Sequence, residues 1–274
     1  MTVINTNVKS LVAQQALTTN NRSLSKAMEQ LSTGKRINSA ADDAAGLSIG
    51  DKMTAQIRGL NQAVRNANDG ISMIQTAEGA LNEVTNMLQR MRELAVQSNN
   101  GTNSSADRTA LNAEYSQLKA EIQRVSDKTT WNGMAITGSD ATTYAYQVGA
   151  DSGATVTMTF VNIGSTGGTV MSAAGVGVDS VTAATSAITQ LDAAISVVDS
   201  YRSTLGAVVN RLNYAADNLA NISTNTAASR SRIQDADYAS TTTELARTQI
   251  IQQAATAMLA QANQAPSSVL ALLR

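Results

Sequence analysis

The chain has 274 residues with neither cysteine nor histidine, which excludes a disulfide framework, a thiolate nucleophile, a Cys/His zinc site and a Ser-His-Asp triad. Twenty basic residues against 21 acidic ones leave a formal net charge of -1, a poor footprint for nucleic acid or an anionic membrane. Hydrophobic residues reach 43% but aromatics only 3%, so the core is built from Ala, Leu, Ile, Val and Met, and the single proline, Pro266, leaves long helices uninterrupted.

In chain order, residues 1–21 carry one charge, Lys9, and scatter Asn, Gln and Thr through any candidate signal-peptide core. Neither a cleaved secretory signal nor a membrane span is expected. Leu17, Leu24, Met28 and Leu31 recur at helical spacing. From Ile57 apolar residues step by three and four through Leu60, Val64, Ala67, Ile71, Ile74, Leu81, Leu88 and Ala95, interrupted by Glu78, Thr85 and Arg92. This coiled-coil stripe predicts a helix from about 53 to 97, roughly 65 Å long at ~1.5 Å per residue, and hence an elongated molecule. After an Asn, Ser and Gly run at 98–105, Leu111, Tyr115, Leu118, Ile122 and Val125 predict a second, shorter helix.

Between Trp131 and Tyr201 there is no Lys or Arg, and nine of the 17 glycines fall between Gly133 and Gly177. Tyr144, Tyr146 and Val148 alternate at period two, as do Val156, Met158 and Phe160, which predicts a β-hairpin turning at Gly149 to Gly153. A flexible stretch is expected from Gly164 to Gly177, with insertions tolerated between Gly167 and Gly168. A third helical stripe runs Ile188, Leu191, Ile195, Val198, Leu205, Val209, Leu212, Ala216 and Leu219, broken only at Arg202, and can pack antiparallel to the first. Residues 248–273 carry no charge, yet Ile251, Ala255, Met258 and Ala262 keep helical spacing. An uncharged apolar helix at each end of a rod has little intramolecular surface to cover it, so Leu17, Leu24, Met28, Leu31, Ile251 and Met258 point to burial between copies.

These segments resemble bacterial flagellins. The likeness rests on Ile4-Asn5-Thr6-Asn7, the run from Leu31 to Ala40 (LSTGKRINSA), Asp42-Asp43-Ala44-Ala45-Gly46-Leu47, and Asn66-Ala67-Asn68-Asp69-Gly70-Ile71-Ser72. It continues in Thr76 to Leu81 (TAEGAL), Gln89 to Val96 and Gln97 (QRMRELAVQ), Ala260 to Pro266 (AQANQAP) and the terminal Leu270-Ala271-Leu272-Leu273-Arg274. The resemblance implies a mainly α, elongated coiled-coil bundle with paired terminal helices and a small β-hairpin subdomain. Residues 1–42 with 238–274 would form the inner core and 43–237 the helical rod, the segment 133–177 standing in place of variable outer domains. It implies export by the flagellar type III apparatus, self-assembly into an extracellular filament for swimming, and Leu270 and Leu273 as further assembly residues. Implied partners are other copies of the chain, an export chaperone, cap and junction proteins, and a host Toll-like receptor. Arg90, Leu94, Gln97 and Glu114 match the receptor-binding positions, with Met91 a mild departure. No cofactor, metal, nucleic acid or membrane insertion is expected.

Other motifs yield to structural readings. Thr33-Gly34-Lys35 resembles a P-loop tail, but Glu29 stands where the first glycine is needed. Gly46 and Gly50 have GxxxG spacing amid Asp42, Asp43, Asp51 and Lys52, which suits a helix contact or hinge rather than a membrane. Asn66, Asn68 and Asp69 before Gly70 lack the rest of a calcium-loop ligand series. Asp42 with Asp43, and Asp235 with Asp237, are the nearest approach to catalytic carboxylate pairs, in a chain with few aromatics to stack on a sugar. A hook–filament junction protein of the same family is the alternative, and the full C-terminal match favours the filament. A chemoreceptor-like rod would need a membrane span, and a peptidase-bearing flagellin would need histidine.

Overall fold

The computed structural model describes residues 6–138, 142–164, 170 and 176–271. The chain is mainly α: α1 (Val8–Thr33), α2 (Ala44–Ser98), α3 (Ser105–Lys128), β1 (Thr130–Trp131), β2 (Met134–Ala135), β3 (Thr143–Gln147), β4 (Thr155–Thr159), α4 (Val181–Gln234) and α5 (Tyr238–Ala271). Its contacts divide it into two compact units, residues 58–223 and residues 1–57 with 224–274. The sequence expectation set the boundaries at 42/43 and 237/238, where helices begin again. The unit boundaries fall inside the helices instead, at 57/58 in α2 and 223/224 in α4, because α2 and α4 run on without a break and their turns nearest the links, for example Thr54 and Arg230, bond to each other (Arg230 Nη1 donates to Thr54 Oγ1, 3.2 Å).

Within residues 58–223 the main apolar core gathers α2, α3, the hairpins and α4, with a smaller cluster of Leu60, Ala63 and Leu219. Its α2 contribution is Ala67, Met73, Ile74, Ala77, Leu81, Val84, Leu88, Met91, Leu94 and Ala95, all buried. A straight helix drifts from a strict heptad. The seam therefore passes through Ala77 and Met91 rather than the predicted Glu78 and Arg92, which are exposed. Thr85 is buried and satisfies its hydroxyl on Leu81 O at 2.9 Å. From α3 come Tyr115 and Ile122, and from α4 Ala184, Ala187, Leu191, Ala194, Val198, Leu205 and Leu212. By length and composition α4 also qualifies as a membrane span, with mean hydropathy 1.3 over 18 residues, although no unbroken apolar run of that length marks it in the sequence. Its apolar side lines the core, and its Asp192 pairs with Arg92 at 2.7 Å.

β3 and β4 form the predicted hairpin, with Tyr144 opposite Met158 and Tyr146 opposite Val156. Val156 and Met158 are buried, and Tyr144 meets Phe160 edge-on at 5.7 Å. Gly70, a costly residue inside a helix, gives the hairpin its seat: a Cβ there would stand 2.9 Å from the Tyr146 ring. The hydroxyl of buried Ser126 donates to Thr137 O at 2.7 Å and that of Thr137 returns to Ser126 O at 2.9 Å, which fixes the loop after β2 on the end of α3. Residues 165–169 and 171–175, including the proposed insertion point, lie outside the described residues.

Candidate functional site

α1 begins at Asn7, whose side chain accepts from Ser10 N, and closes at Gly34 in the left-handed conformation. α5 begins at Asp237, whose carboxylate accepts from Ala239 N at 2.9 Å. The links between helices are sewn together by the backbone: Arg36 N donates to Gln234 O (2.7 Å) and Ala236 N to Gly34 O (2.9 Å), with Lys35 and Asp235 in a β-bridge. Arg36 Nη2 adds a bond to Ile233 O at 2.8 Å, and Gly50 lies against the Gln234 side chain.

The carboxylate pairs that the sequence offered as catalytic candidates are occupied here. Asp43 caps α2 by accepting from Gly46 N at 2.9 Å, while Asp42 pairs with Lys26 Nζ at 2.8 Å and accepts from Asn38 N and Ser39 N. The hydrogen bond from Lys26, followed by those from the Ser39 and Asn38 amides, holds the Asp42 carboxyl down to about 2. Asp235 accepts from Ser231 Oγ at 2.5 Å.

α1 and α5 then pack side by side, antiparallel in register from Leu31 beside Tyr238 to Asn7 beside Ala262. Polar bonds tie the two helices together. Asn20 Nδ2 donates to Thr248 O at 2.8 Å with both residues buried, Asn7 Nδ2 to Ala262 O at 2.8 Å, Ser10 Oγ to Asn263 Oδ1 at 2.9 Å, and Gln252 Nε2 to Asn21 Oδ1 at 3.1 Å. Among the described residues only Ala27 is a buried apolar member of either helix.

Many of the large apolar residues face out. Val8, Leu11, Val12, Met28, Ile250 and Met258 are each at least 50% exposed and Ile251 is 38% exposed. Of the assembly residues expected from sequence, Met28, Ile251 and Met258 are exposed and Leu17, Leu24 and Leu31 half-buried. The Leu270 side chain and Leu273 lie outside the described residues. Val8, Val12, Ala262 and Met258 border one groove of the pair, and Val12, Asn20, Arg247 and Ile251 border another. Val8, Leu11, Val12 and Ile250 were passed over in the sequence, although their helical spacing was the available signal.

The second candidate site lies on residues 58–223. Arg90 Nε and Nη2 donate to Glu114 Oε1 at 3.0 and 2.9 Å across α2 and α3, and Nη1 donates to Glu93 at 2.9 Å. Glu93, then Glu114, raise the Arg90 pKa. Arg90, Glu114 and Gln97 are exposed. Leu94 departs from the expectation: it is 1% exposed, a core residue behind this surface rather than part of it. Its expected place rests on family resemblance; around the helix it is offset by only ~40° from Arg90, which sets it on the buried side with Met91 and Ala95.

Comparison with known proteins places these surfaces in context. Residues 4–139 match the bacterial flagellin N-terminal helical region and residues 188–273 the bacterial flagellin C-terminal helical region. The chain is 49% identical to a flagellin of Halalkalibacterium halodurans over 273 residues, covering 99% of this chain and 100% of that one. It is 36% identical to flagellin B of Vibrio cholerae over 371 aligned positions, covering 98% of this chain and 99% of the relative. Among solved structures it is similar to a Bacillus cereus flagellin, with TM-score 0.51 and 33% identity over 57% of this chain and 88% of that one. A flagellar hook-associated protein from Vibrio parahaemolyticus, at TM-score 0.59 and 12% identity over 71% of this chain and 100% of that one, shares the fold.

Proposed function

The chain belongs to the bacterial flagellin family, structural and non-enzymatic proteins exported to form the extracellular flagellar filament, and from that premise we propose that the outward face of the terminal helix pair joins one copy to the next. The observation that carries this reading is that buried Asn20 and Thr248 bond across the pair while Val8, Leu11, Val12, Met28, Ile250 and Met258 stand in solvent. Such a surface gains stability by covering itself, at about 25 cal/mol per Å² of apolar area removed from water. Leu17, Leu24, Met28, Leu31, Ile251 and Met258, with Leu270 and Leu273 by family resemblance, are the assembly residues. Ile251→Asp tests it: helix content of the free chain should persist while sedimentable filaments disappear. Normal filaments would end the assignment.

A host flagellin-sensing Toll-like receptor reads Arg90, Gln97 and Glu114 on the free subunit, and Leu94 supports that surface from beneath. What supports this is the exposed Arg90–Glu114 pair on the segment that matches the family's receptor-binding positions. Glu114→Ala should weaken reporter-cell activation without altering the melting temperature by more than a degree or two, since exposed ion pairs contribute little to stability. An unchanged activation curve would remove the receptor assignment. Export chaperone, cap and junction proteins are the remaining partners of this reading. The alternative role at the hook–filament junction is less well supported, because the likeness to curated flagellins runs the whole length of the chain.

A further inference from the structure

The described methionines differ in environment, with Met53 and Met87 half-buried between two extremes. Met73, Met91 and Met158 are 3%, 0% and 2% exposed inside the core of residues 58–223, whereas Met28 on α1 and Met258 on α5 are 50% and 67% exposed. Met134 on β2 is also exposed, at 38%. Met258 also borders the groove formed with Val8, Val12 and Ala262, so it belongs to the apolar surface that assembly must cover. A thioether in water is open to two-electron oxidants, and its product is a polar, chiral sulfoxide.

We propose that Met28 and Met258 are oxidation sites for peroxide-class oxidants, and that their conversion to sulfoxide withdraws the free chain from assembly. The proposal rests on the assignment of the terminal pair as the joining surface. In the reaction a sulfur lone pair attacks one oxygen of hydrogen peroxide and the O–O bond breaks. Sulfur gives up two electrons and bonds that oxygen, while the other leaves as hydroxide, takes the proton from the retained oxygen and is released as water. One thioether and one peroxide thus give one sulfoxide and one water. The new oxygen is a strong acceptor, and an apolar joint between copies leaves it without a donor. Lys9 and Gln261 border the Met258 groove and offer donors only while the surface remains wet, which adds to the bias against assembly. Once copies have joined, the same covering shields both sulfurs, so the sensitivity belongs to the free subunit.

The test treats the purified full-length chain with hydrogen peroxide, follows each methionine by peptide mass spectrometry, and measures salt-induced polymerisation after the oxidant is removed. Sulfoxide should accumulate at Met28 and Met258 many times faster than at Met73, Met91 and Met158, and the critical concentration for polymerisation should rise about tenfold or more. Reduction by methionine sulfoxide reductases should restore it. A chain carrying M28L and M258L should polymerise equally before and after treatment, whereas M134L alone should give no protection. Slow oxidation at Met28 and Met258, normal assembly of the oxidised chain, inhibition that persists after the sulfoxides are reduced, or an M28L/M258L chain still inhibited by peroxide each overturn the proposal. Preformed filaments separate the two ideas. If Met28 and Met258 in filaments oxidise as fast as in the free chain, the joining surface is misassigned. If they are shielded but the oxidised free chain assembles, only the oxidation switch fails.

Discussion

Residues 58–223 and the terminal helix pair use the same amino acids in opposite arrangements. In the first, Ile74, Leu81, Leu88, Leu191 and Leu205 are buried and the ion pairs Arg92–Asp192 and Arg90–Glu114 lie outside. In the second, Asn20 and Thr248 are buried, and Val12, Ile250 and Met258 lie outside. The first arrangement completes its hydrophobic burial within one chain; the second has most of its own still to make. Stability and assembly should therefore be separable by mutation.

Removal of residues 261–274 makes the largest difference. It deletes Ala262 and Asn263, which bond Asn7 and Ser10, and should abolish filaments seen by electron microscopy while the main calorimetric transition stays in place. A large drop in that transition would mean that the two regions share one core. Leu88→Ala should do the reverse, destabilising residues 58–223 by about 2–5 kcal/mol in denaturant titrations through loss of burial and a residual cavity. Its effect on assembly should appear only where the free chain is already partly unfolded. Asn20→Ala strikes the polar seam and should cost about 1 kcal/mol. The readout is faster protease trimming of both ends together, since the bond to Thr248 O ties one to the other. Trimming of the N-terminal end alone would count against a shared register.

The smallest effects are those of pH, and they too divide the molecule. Asp42 titrates at about 2 in the folded chain against 3.8 unfolded, so its contribution is complete above 3.8 and is lost as pH falls toward 2. Amide exchange at Asn38 and Ser39, which donate to that carboxylate, should accelerate across this window beyond the intrinsic rate, and Asp42→Asn should remove the pH dependence. In residues 58–223 burial pushes Tyr115, Tyr146 and Tyr201 up to about 12 from 10.0. Their contribution is complete below pH 10 and is lost as pH rises toward 12, so alkali should loosen this core while the Asp42 link holds. Retention of the near-ultraviolet dichroism of the core at pH 12 would contradict that assignment.

The helical spans were legible because apolar spacing records which face is covered, and Leu60, Leu81, Leu88, Leu191 and Leu212 are buried as that spacing predicts. The β3–β4 hairpin was legible for the same reason, at period two. The small hairpin β1–β2 was missed although Asn132-Gly133 is a strong two-residue turn signal, and both residues adopt the positive φ that such a turn needs (48° and 77°). Arg202 was read as a mere break in the α4 stripe, yet its Nε is buried without a hydrogen-bond partner among the described residues, a placement only packing reveals. The polar seam was not legible either. Asn20 and Thr248 look like solvent-facing residues until α1 is laid on α5, because spacing records that a face differs from its neighbours and not which face meets a partner. Leu94 shows the limit of resemblance: family position placed it on the receptor surface, and its own helix turns it into the core.

The terminal pair is held across its seam by neutral donors and acceptors, and among the described residues no ion pair joins α1 to α5. Between 0.01 M and 1 M salt the screening length in water contracts from about 30 Å to about 3 Å, which erases most surface electrostatics. A seam of amides and hydroxyls has nothing for such screening to erase. The register of the two chain ends is thereby insulated from the salinity of the medium.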